Sequence, residues 1–391
     1  MVASSLRARL NSIKGTSPGA NKPARVGGLL RLAESQQVPD SLYAIPPEAL
    51  RRIGWNGRVF DIERCLFLDT ETTGLSGGAG TIAFLVGAGY IRRGVMTVEQ
   101  FFMRDYSDEP DLLYHLKGLM EKFDCVVTFN GRTFDMPLLT TRFTMNRMRD
   151  YPELFDLDLL MPSRRAWKLR IESCRLANVE EKILGIVREN DLPGSEVPER
   201  YFEFLKTGNM ALVDDIIRHN RQDIFSLAHL LDKLCAVYAA PQAQKSQLDL
   251  FSLGKALEKQ GEHAQARELY RLSAVPRRAA TISALRAEGV AGQANLRLAK
   301  LSMRAGDVDT AYATYEQMLT RNQMGTLPHG ELAKILEHKK RDIPAALRHT
   351  RAALSRCTPD EEPELRKREA RLMRKLAALE TERNGVKDGF D

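Results

Sequence analysis

Two carboxylates stand close together where an apolar segment of the sequence ends. Asp69 and Glu71 follow residues 65–68, whose four apolar side chains predict a buried strand, and Gly74 closes the pattern. Because side chains i and i+2 of a strand point to the same face, we expect both carboxylates to project together. Carboxylates held so closely repel each other unless a cation lies between them, so the pair indicates a divalent metal site. For this pair alone, a solvated loop at a strand end remains the alternative.

Two further segments carry acidic residues in settings of the same kind. Residues 126–135 form an apolar run that breaks into a polar turn and ends at Asp135. Residues 212–234 have the pattern of a helix, in which His219 precedes Asp223 by four positions, so that the two share one helical face. Three separate elements therefore supply acidic residues.

The order and spacing of these segments resemble those of a known group of enzymes. D-x-E-T-T-G, F-N-G-x-x-F-D and H-x-x-x-D are similar to the motifs of the DEDD exonucleases of the ribonuclease H-like superfamily. Within it, residues 59–234 most resemble the bacterial YprB-type ribonuclease H-like domain, described as an uncharacterised nuclease with tetratricopeptide repeats. The resemblance implies an α/β fold, in which a mixed sheet with flanking helices holds the acidic residues at its centre.

Four carboxylates are enough to hold two hard divalent cations and to leave positions for water and phosphate. Mg²⁺ is the expected ion, with Mn²⁺ as the common substitute. Our first hypothesis is a 3′–5′ exonuclease of DNA or RNA that works by a two-metal mechanism. The alternative is a nucleic-acid or protein adaptor that keeps the fold without turnover. The predicted metal ligands and catalytic carboxylates are Asp69, Glu71, Asp135 and Asp223.

His219 is the candidate general base. Its imidazole could deprotonate or orient the attacking water, since imidazoles titrate near neutral pH. The spacing departs from the histidine branch of the DEDD group, which has four residues between His and Asp. This chain has three, the spacing of the tyrosine branch, with His219 in the place of the tyrosine. A structural role on the helix face is therefore the alternative for His219.

Five residues near the motifs are weaker candidates for substrate contacts. Thr72, Thr73 and Gly74 are expected to offer hydroxyl or backbone contacts to the terminal nucleotide. Asn130 and Phe134 are expected to position the third aspartate. Asn130 could equally form an Asx-type turn, and Phe134 could be plain core.

Residues 164–170 are the densest cationic segment of the predicted nuclease domain and contain Trp167. We expect Arg164, Arg165 and Lys168 to bind substrate phosphates, with a base stacked on the indole. The alternative is a solvated basic face that Trp167 anchors in the core.

Composition favours a nucleic-acid partner and a reduced compartment. The 391 residues include 58 Lys and Arg against 51 Asp and Glu, a net charge of +7 that suits a phosphate-rich partner. No apolar run approaches the ~20 residues that span a bilayer, and the N-terminus lacks the hydrophobic core of a signal peptide. The five cysteines are scattered without metal-ligand spacing. We therefore expect a cytoplasmic protein with no membrane association.

The hydrophobic pattern divides the chain into a basic, largely irregular arm over residues 1–58 and an α/β domain over residues 59–235. The arm is either a phosphate-contacting extension or a disordered tail without a task. Within the α/β domain, three consecutive strands joined by short turns predict an antiparallel meander. The predicted strands cover 59–68, 81–91, 95–102, 126–129 and 155–160, the predicted helices cover 111–123, 137–148, 174–186 and 212–234, and a turn is predicted at 201–205.

The remaining chain reads as a linker over residues 236–248 and a helical region over residues 249–391. Small residues and an aromatic recur at the spacing of tetratricopeptide repeats, with an insertion near residues 277–289 and a closing basic helix over residues 364–379. We expect this region to bind a protein or to extend the nucleic-acid path. A helical cap that stabilises the nuclease is the alternative.

Overall fold

The structure of the protein is a computed structural model, which describes residues 28–55, 59–74, 80–188, 192–275 and 282–385. The strands are β1 (Leu30–Gln37), β2 (Cys65–Thr72), β3 (Ala83–Arg92), β4 (Val95–Phe102), β5 (Cys125–Thr128) and β6 (Phe155–Asp158). The helices are α1 (Pro47–Ile53), α2 (Glu109–Met120), α3 (Asp135–Met145), α4 (Leu160–Ile171), α5 (Leu176–Val179), α6 (Val197–Thr207), α7 (Asp214–Ala239), α8 (Gln247–Lys259), α9 (His263–Ser273), α10 (Ile282–Arg304), α11 (Val308–Thr320), α12 (Leu327–Ile335), α13 (Ile343–Leu354) and α14 (Glu362–Gly385). A π-helical turn directly follows α5 at Glu180–Leu184, and another follows α12 at Leu336–Lys340.

The six strands form one mixed sheet in the order β1-β4-β3-β2-β5-β6. The pairs β1–β4, β4–β3 and β3–β2 are antiparallel, whereas β2, β5 and β6 run parallel to one another. The predicted antiparallel meander and the predicted mixed sheet with flanking helices are confirmed. The strand that carries the first acidic motif, β2, lies where the antiparallel and parallel parts of the sheet meet.

The first strand corrects the prediction of an irregular arm over residues 1–58. Residues 30–37 form β1, which pairs with β4 along its whole length. Leu30 and Leu32 pack against the core and the rest of the strand is mostly exposed, as at a sheet edge. Two alternating leucines are too short a pattern to indicate a strand without its partner. Residues 1–27 lie outside the described residues.

Three other elements differ from their predicted bounds. The segment predicted as a turn at 201–205 lies within α6, where Tyr201 and Phe204 share a buried face. The helix predicted over 174–186 is reduced to α5 and its π-helical turn, which ends at Gly185 with a left-handed φ of 72°. The predicted opening strand begins only at Cys65.

Two glycines of β3 allow α7 to lie close against the sheet. A Cβ atom on Gly87 would lie 2.3 Å from Oδ1 of Asn220, and one on Gly89 would lie 2.4 Å from Cγ2 of Ile224. Any larger side chain would push the helix outward, because both neighbours are held on the helix. The glycines therefore set the distance at which α7 presents its side chains to β2 and β3.

The chain divides into two compact units, each described here by itself. The sheet unit contains the described residues up to Ile45 together with Trp55–Met161 and Arg175–Lys233, and the helical unit contains Pro46–Gly54, Pro162–Cys174 and the described residues from Leu234. These units differ from the predicted domains over 59–235 and 249–391, because α1 and most of α4 belong to the helical unit. The predicted linker over 236–248 is also mostly helical, since α7 runs to Ala239, a 3-10 turn covers Pro241–Ala243 and α8 begins at Gln247.

Ion pairs link α1 and α4 to other elements of the helical unit. Arg52 of α1 is 3% exposed and donates hydrogen bonds to the Tyr238 carbonyl at 2.6 Å and to Glu262 Oε2 at 2.6 Å. Arg170 of α4 pairs with the buried Asp249 at 2.9 Å. Charge pairs between residues so distant in sequence cannot be inferred from hydrophobic periodicity.

The rest of the helical unit consists of helices that pack on their neighbours in chain order. A Cβ on Gly254 would lie 2.8 Å from the Tyr270 ring, which shows how closely α8 and α9 approach. The closing helix predicted over 364–379 is present as α14. The predicted insertion near 277–289 lies partly outside the described residues, and the tetratricopeptide character of the unit stays a prediction. Among the described residues, no helix is long and apolar enough to cross a membrane.

Candidate active site

The end of β2 holds the first two acidic side chains. Asp69 lies opposite Gly87 of β3 and Glu71 lies opposite Leu85, so the two carboxylates are i and i+2 on one strand. The pairing with β3 becomes irregular between Glu71 and Thr72. The strand therefore presents both acids at the point where regular pairing stops.

Asp135 is the first residue of α3, which follows β5 after a short turn. Its side chain is 5% exposed and accepts a hydrogen bond from the Thr70 hydroxyl at 2.5 Å. Thr70 lies between the two acids of β2 in sequence. The hydrogen bond thus connects the second motif to the first.

The helix α7 brings the last motif to the same strand through Asn220. This side chain is fully buried, and its Nδ2 donates to Asp69 Oδ2 at 3.0 Å and to the Asp69 carbonyl at 3.2 Å. Its Oδ1 accepts from Nε2 of Gln100 at 2.8 Å, and Gln100 also donates to the Ile217 carbonyl at 2.8 Å. Nε2 of Gln100 is a donor, so the Asn220 atom that faces it must be the oxygen. The amino group of Asn220 therefore faces Asp69. The missing side chain of Gly87 leaves the space for this contact.

We call Asp69, Glu71, Asp135 and Asp223 the acidic cluster, because their charges act on one another. Burial, followed by the charge of Asp223, raises the pKa of Asp69 well above its usual value. The pKa of Glu71 is raised to about 8 by burial and then by Asp223 and Asp135. Burial also raises the pKa of Asp135 to about 6, although the Thr70 hydrogen bond lowers it. Full ionisation of the cluster therefore requires added positive charge.

One arginine supplies part of that charge. Arg188 donates from Nη2 to Oδ1 of Asp223 and from Nε to the fully buried Glu180. Its charge also lowers the pKa of Glu71. The guanidinium therefore lies beside the acidic cluster and is also held by Glu180.

A cleft of about 280 Å³ opens beside the cluster. Glu71, His219 and Asp223 line it together with Arg188, so the histidine of the third motif shares a cavity with two of the acids. The other lining residues are Arg175, Ala177, Leu192, Pro193, Gly194, Val197 and Ile216. One wall of the cleft is thus charged and another is largely apolar.

The residues around Gly74 make contacts within their own turn. The Thr72 hydroxyl donates to the Gly74 carbonyl at 2.7 Å, and the Thr73 hydroxyl accepts from the Ile82 backbone N–H at 3.1 Å. These bonds hold residues 72–74 in place at the end of β2. Contact of Thr72, Thr73 and Gly74 with a nucleotide stays a prediction.

Asn130 forms the turn after β5. It has a left-handed φ of 72°, its N–H donates to Asp158 Oδ1 at 2.9 Å, and its side chain accepts from the Thr133 hydroxyl at 2.8 Å. Phe134 is half-buried and immediately precedes α3. This geometry matches the turn-forming alternative for Asn130, and both residues hold the chain that leads into Asp135.

The basic segment of α4 belongs to the helical unit. Arg164 and Lys168 are exposed, and Arg165 is half-buried with Nη2 donating to the Ile53 carbonyl at 3.4 Å. Trp167 is 1% exposed, so the indole cannot stack on a base and the core alternative is correct for it. Phosphate contacts by Arg164, Arg165 and Lys168 stay predictions.

Asn220, Gln100, Thr70 and Arg188 contribute to the site and were not predicted from the sequence. Asn220 follows His219 directly, so the motif can be extended to H-N-x-x-D. Gly87 and Gly89, two glycines within one strand, were a signal of close approach by another element. Gln100 and Arg188 carry no local signal, since only the folded chain brings them to the cluster.

The donor set suits hard divalent cations, because carboxylate oxygens are the ligands that Mg²⁺ and Mn²⁺ prefer. The raised pKa values of the buried acids also favour a cation at this site. A bound cation would replace the protons that burial and repulsion favour. Within the parts of the chain that the structure describes, no group of three or more His, Cys, Asp or Glu is arranged as a finished ion site. Two cluster members are instead engaged with protein donors, Asp135 with Thr70 and Asp223 with Arg188. Ion binding at these residues therefore requires rearrangement of side chains.

Comparison with known proteins gives two findings. A family model for the RNase_H superfamily matches residues 66–235. The chain is 32% identical over 325 residues to an uncharacterized protein of Bacillus subtilis, YprB, a match that spans 80% of this chain and 75% of YprB. The segment matched by the family model contains all four residues of the acidic cluster.

The raised pKa values predict that the protein without divalent cations loses stability as the pH rises. Glu71 has a pKa of about 8 in the folded state against an ordinary value of 4.5, so folding favours its protonated form. Its contribution to the free energy of unfolding should therefore fall between about pH 4.5 and about pH 8. Urea denaturation in EDTA across this range measures the effect.

Glu71→Gln should flatten this pH dependence, whereas Glu153→Gln, at an exposed position outside the cluster, should retain it. A free energy of unfolding that rises across the range in the wild type would contradict the repulsion within the cluster.

Proposed function

Because the chain belongs to the YprB family and its residues 66–235 belong to the ribonuclease H superfamily, we propose that it is a metal-dependent nuclease. More specifically, we propose a 3′–5′ exonuclease that hydrolyses phosphodiester bonds of DNA or RNA with two Mg²⁺ or Mn²⁺ ions. Proteins of the superfamily typically hydrolyse nucleic acids. The observation that supports the proposal most strongly is the acidic cluster beside an open cleft.

The acidic cluster would hold the two ions, and Asp69 at its centre is the residue we expect to contact both. When bound, such cations polarise the phosphodiester, lower the pKa of a water and neutralise charge on the leaving oxygen. Asn220 keeps the Asp69 carboxylate oriented through its hydrogen bond to Oδ2. Thr70 does the same for Asp135.

His219 would take the proton of the attacking water. It lines the cleft next to Glu71 and Asp223, which is the position that a general base requires. It lies on α7, one turn before Asp223, so the packing of this helix on β3 sets its place. The proton accepted by the imidazole would then pass to solvent, and the departing 3′ oxygen would take up a proton.

A non-catalytic adaptor is the second candidate, because no finished ion site is present among the described residues. The raised pKa values of Asp69, Glu71 and Asp135 nevertheless disfavour this alternative, since an adaptor gains nothing from the repulsion among these acids. Binding of divalent ions discriminates between the two candidates.

For the helical unit we propose tetratricopeptide-like repeats that bind a protein partner. A phosphate path along α14 has weaker support, because several of its cations are paired. Arg371 and Lys375 each contact Glu337 at 2.7 Å, and Arg366 contacts Glu362 and Glu369. Such pairing reduces the charge available to a nucleic acid.

Cleavage of end-labelled nucleic acid tests the proposed activity. The full chain with Mg²⁺ or Mn²⁺ should shorten 5′-labelled single-stranded DNA or RNA stepwise from the 3′ end. Asp69→Asn should abolish this, because it removes the carboxylate expected to contact both ions. Without divalent ions its stability should equal or exceed that of the wild type, since one repulsive charge is gone.

The exposed Asp111→Asn serves as the control and should cleave normally. Wild-type turnover by Asp69→Asn would refute the two-metal proposal.

Replacement of His219 tests the general base. His219→Ala should slow cleavage by roughly 10²-fold or more with nearly unchanged affinity for the ions, whereas His229→Ala on the same helix should not. His219→Tyr should recover part of the loss, because the tyrosine branch has a tyrosine at this spacing from its last aspartate. If His219→Ala cleaves as fast as the wild type, the residue has only a structural role.

A further inference from the structure

Arg188 is held in a manner unusual for a surface arginine. Its side chain is 14% exposed, and its Nε donates to Glu180, whose side chain has no exposed surface. The second oxygen of Glu180, Oε1, is also buried and has no hydrogen-bond partner among the described residues. A carboxylate in this setting strongly favours a neighbouring cation, so Glu180 fixes the guanidinium in place.

The guanidinium of Arg188 contacts two different carboxylates. Nε and Nη2 lie on the same edge of the guanidinium and contact different residues, since Nε donates to Glu180 and Nη2 donates to Oδ1 of Asp223. Arg188 also lines the 280 Å³ cleft with Glu71, His219 and Asp223. Glu180 therefore holds the guanidinium at the wall of the cleft.

A divalent ion bound to Asp223 would repel the guanidinium and weaken its hydrogen bond to the same carboxylate. A planar guanidinium matches the oxygens of a phosphate as well as those of a carboxylate, and often binds them with two parallel hydrogen bonds. An Arg188 displaced from Asp223 would remain attached to Glu180 and would lie beside any phosphate that enters the cleft. This places a cation next to the substrate only after the ions have bound.

We infer that Arg188 is a phosphate-binding residue of the nuclease, which pairs with Asp223 until divalent ions take that carboxylate and then contacts a phosphate of the nucleic acid. The inference rests on the proposed function. It assigns to Arg188 a substrate contact that depends on the ions, whereas a structural ion pair would be the same with and without them.

Salt dependence of nucleic-acid binding measures such a contact directly. Each phosphate contact to a single strand contributes about 0.7 to the slope of log K against log salt. The full chain is titrated with a fluorescein-labelled single-stranded oligonucleotide in EDTA and in Ca²⁺. The test variant is Glu180→Gln/Arg188→Gln, which removes both charges together, so that Glu180 is not left as a buried carboxylate without its partner.

In Ca²⁺ the slope of the double variant should be smaller than that of the wild type by about 0.7, and in EDTA the two slopes should agree. Arg188→Lys keeps a cation for Glu180 but lacks the planar donors of a guanidinium. This variant should therefore bind the oligonucleotide more weakly than the wild type in Ca²⁺. Arg200→Gln is the control, since Arg200 pairs with Glu196 across one turn of α6 and does not line the cleft. Its slope should match the wild type in both buffers.

Calorimetric titration with Mn²⁺ completes the test. The double variant should bind Mn²⁺ at least as tightly as the wild type, because no guanidinium competes for Asp223. Equal slopes of wild type and double variant in Ca²⁺ would overturn the inference and leave the proposed nuclease intact. If the wild type binds no Mn²⁺ at all, the proposed function fails and the inference fails with it.

Discussion

Repulsion between buried carboxylates is the constraint on which the rest of the site depends. Asp69, Glu71 and Asp135 come from two segments, and burial raises the pKa of each. These carboxylates would move apart if the elements that carry them were free to move. The central position of β2 in the sheet and the close approach of α7 at Gly87 and Gly89 prevent this. The fold thus keeps together charges that oppose one another.

The protein offsets part of this repulsion with one donor for each of three acids. Asn220 donates to Asp69, Thr70 donates to Asp135, and Arg188 donates to Asp223. Two of these donors are neutral and lower the pKa of their carboxylates through the hydrogen bond alone, whereas Arg188 also brings a charge. The remaining deficit of positive charge is what two divalent cations would supply, and this connects the electrostatics of the site to the proposed hydrolysis.

The sequence was sufficient where chemistry and periodicity coincide within one segment. The carboxylates after an apolar run, the meander from β2 to β4 and the mixed sheet follow from patterns of a few residues, and the family model agrees with them. The sequence was insufficient where an element depends on residues that are distant along the chain. The edge strand β1 needed β4, and Gln100 reaches Asn220 only after the sheet and α7 have packed. Trp167 was ambiguous for the same reason, since burial of an indole depends on the whole unit.

The most direct test of the account is the binding of Mn²⁺ to the full chain near neutral pH, measured by titration calorimetry in buffers of different ionisation enthalpy. Because Glu71 has a pKa of about 8, it is mostly protonated at neutral pH and must release its proton when the ions bind. We predict two bound ions and an apparent enthalpy that changes with the buffer. Absence of binding, or binding without proton release, would contradict the claim that divalent cations neutralise the acidic cluster.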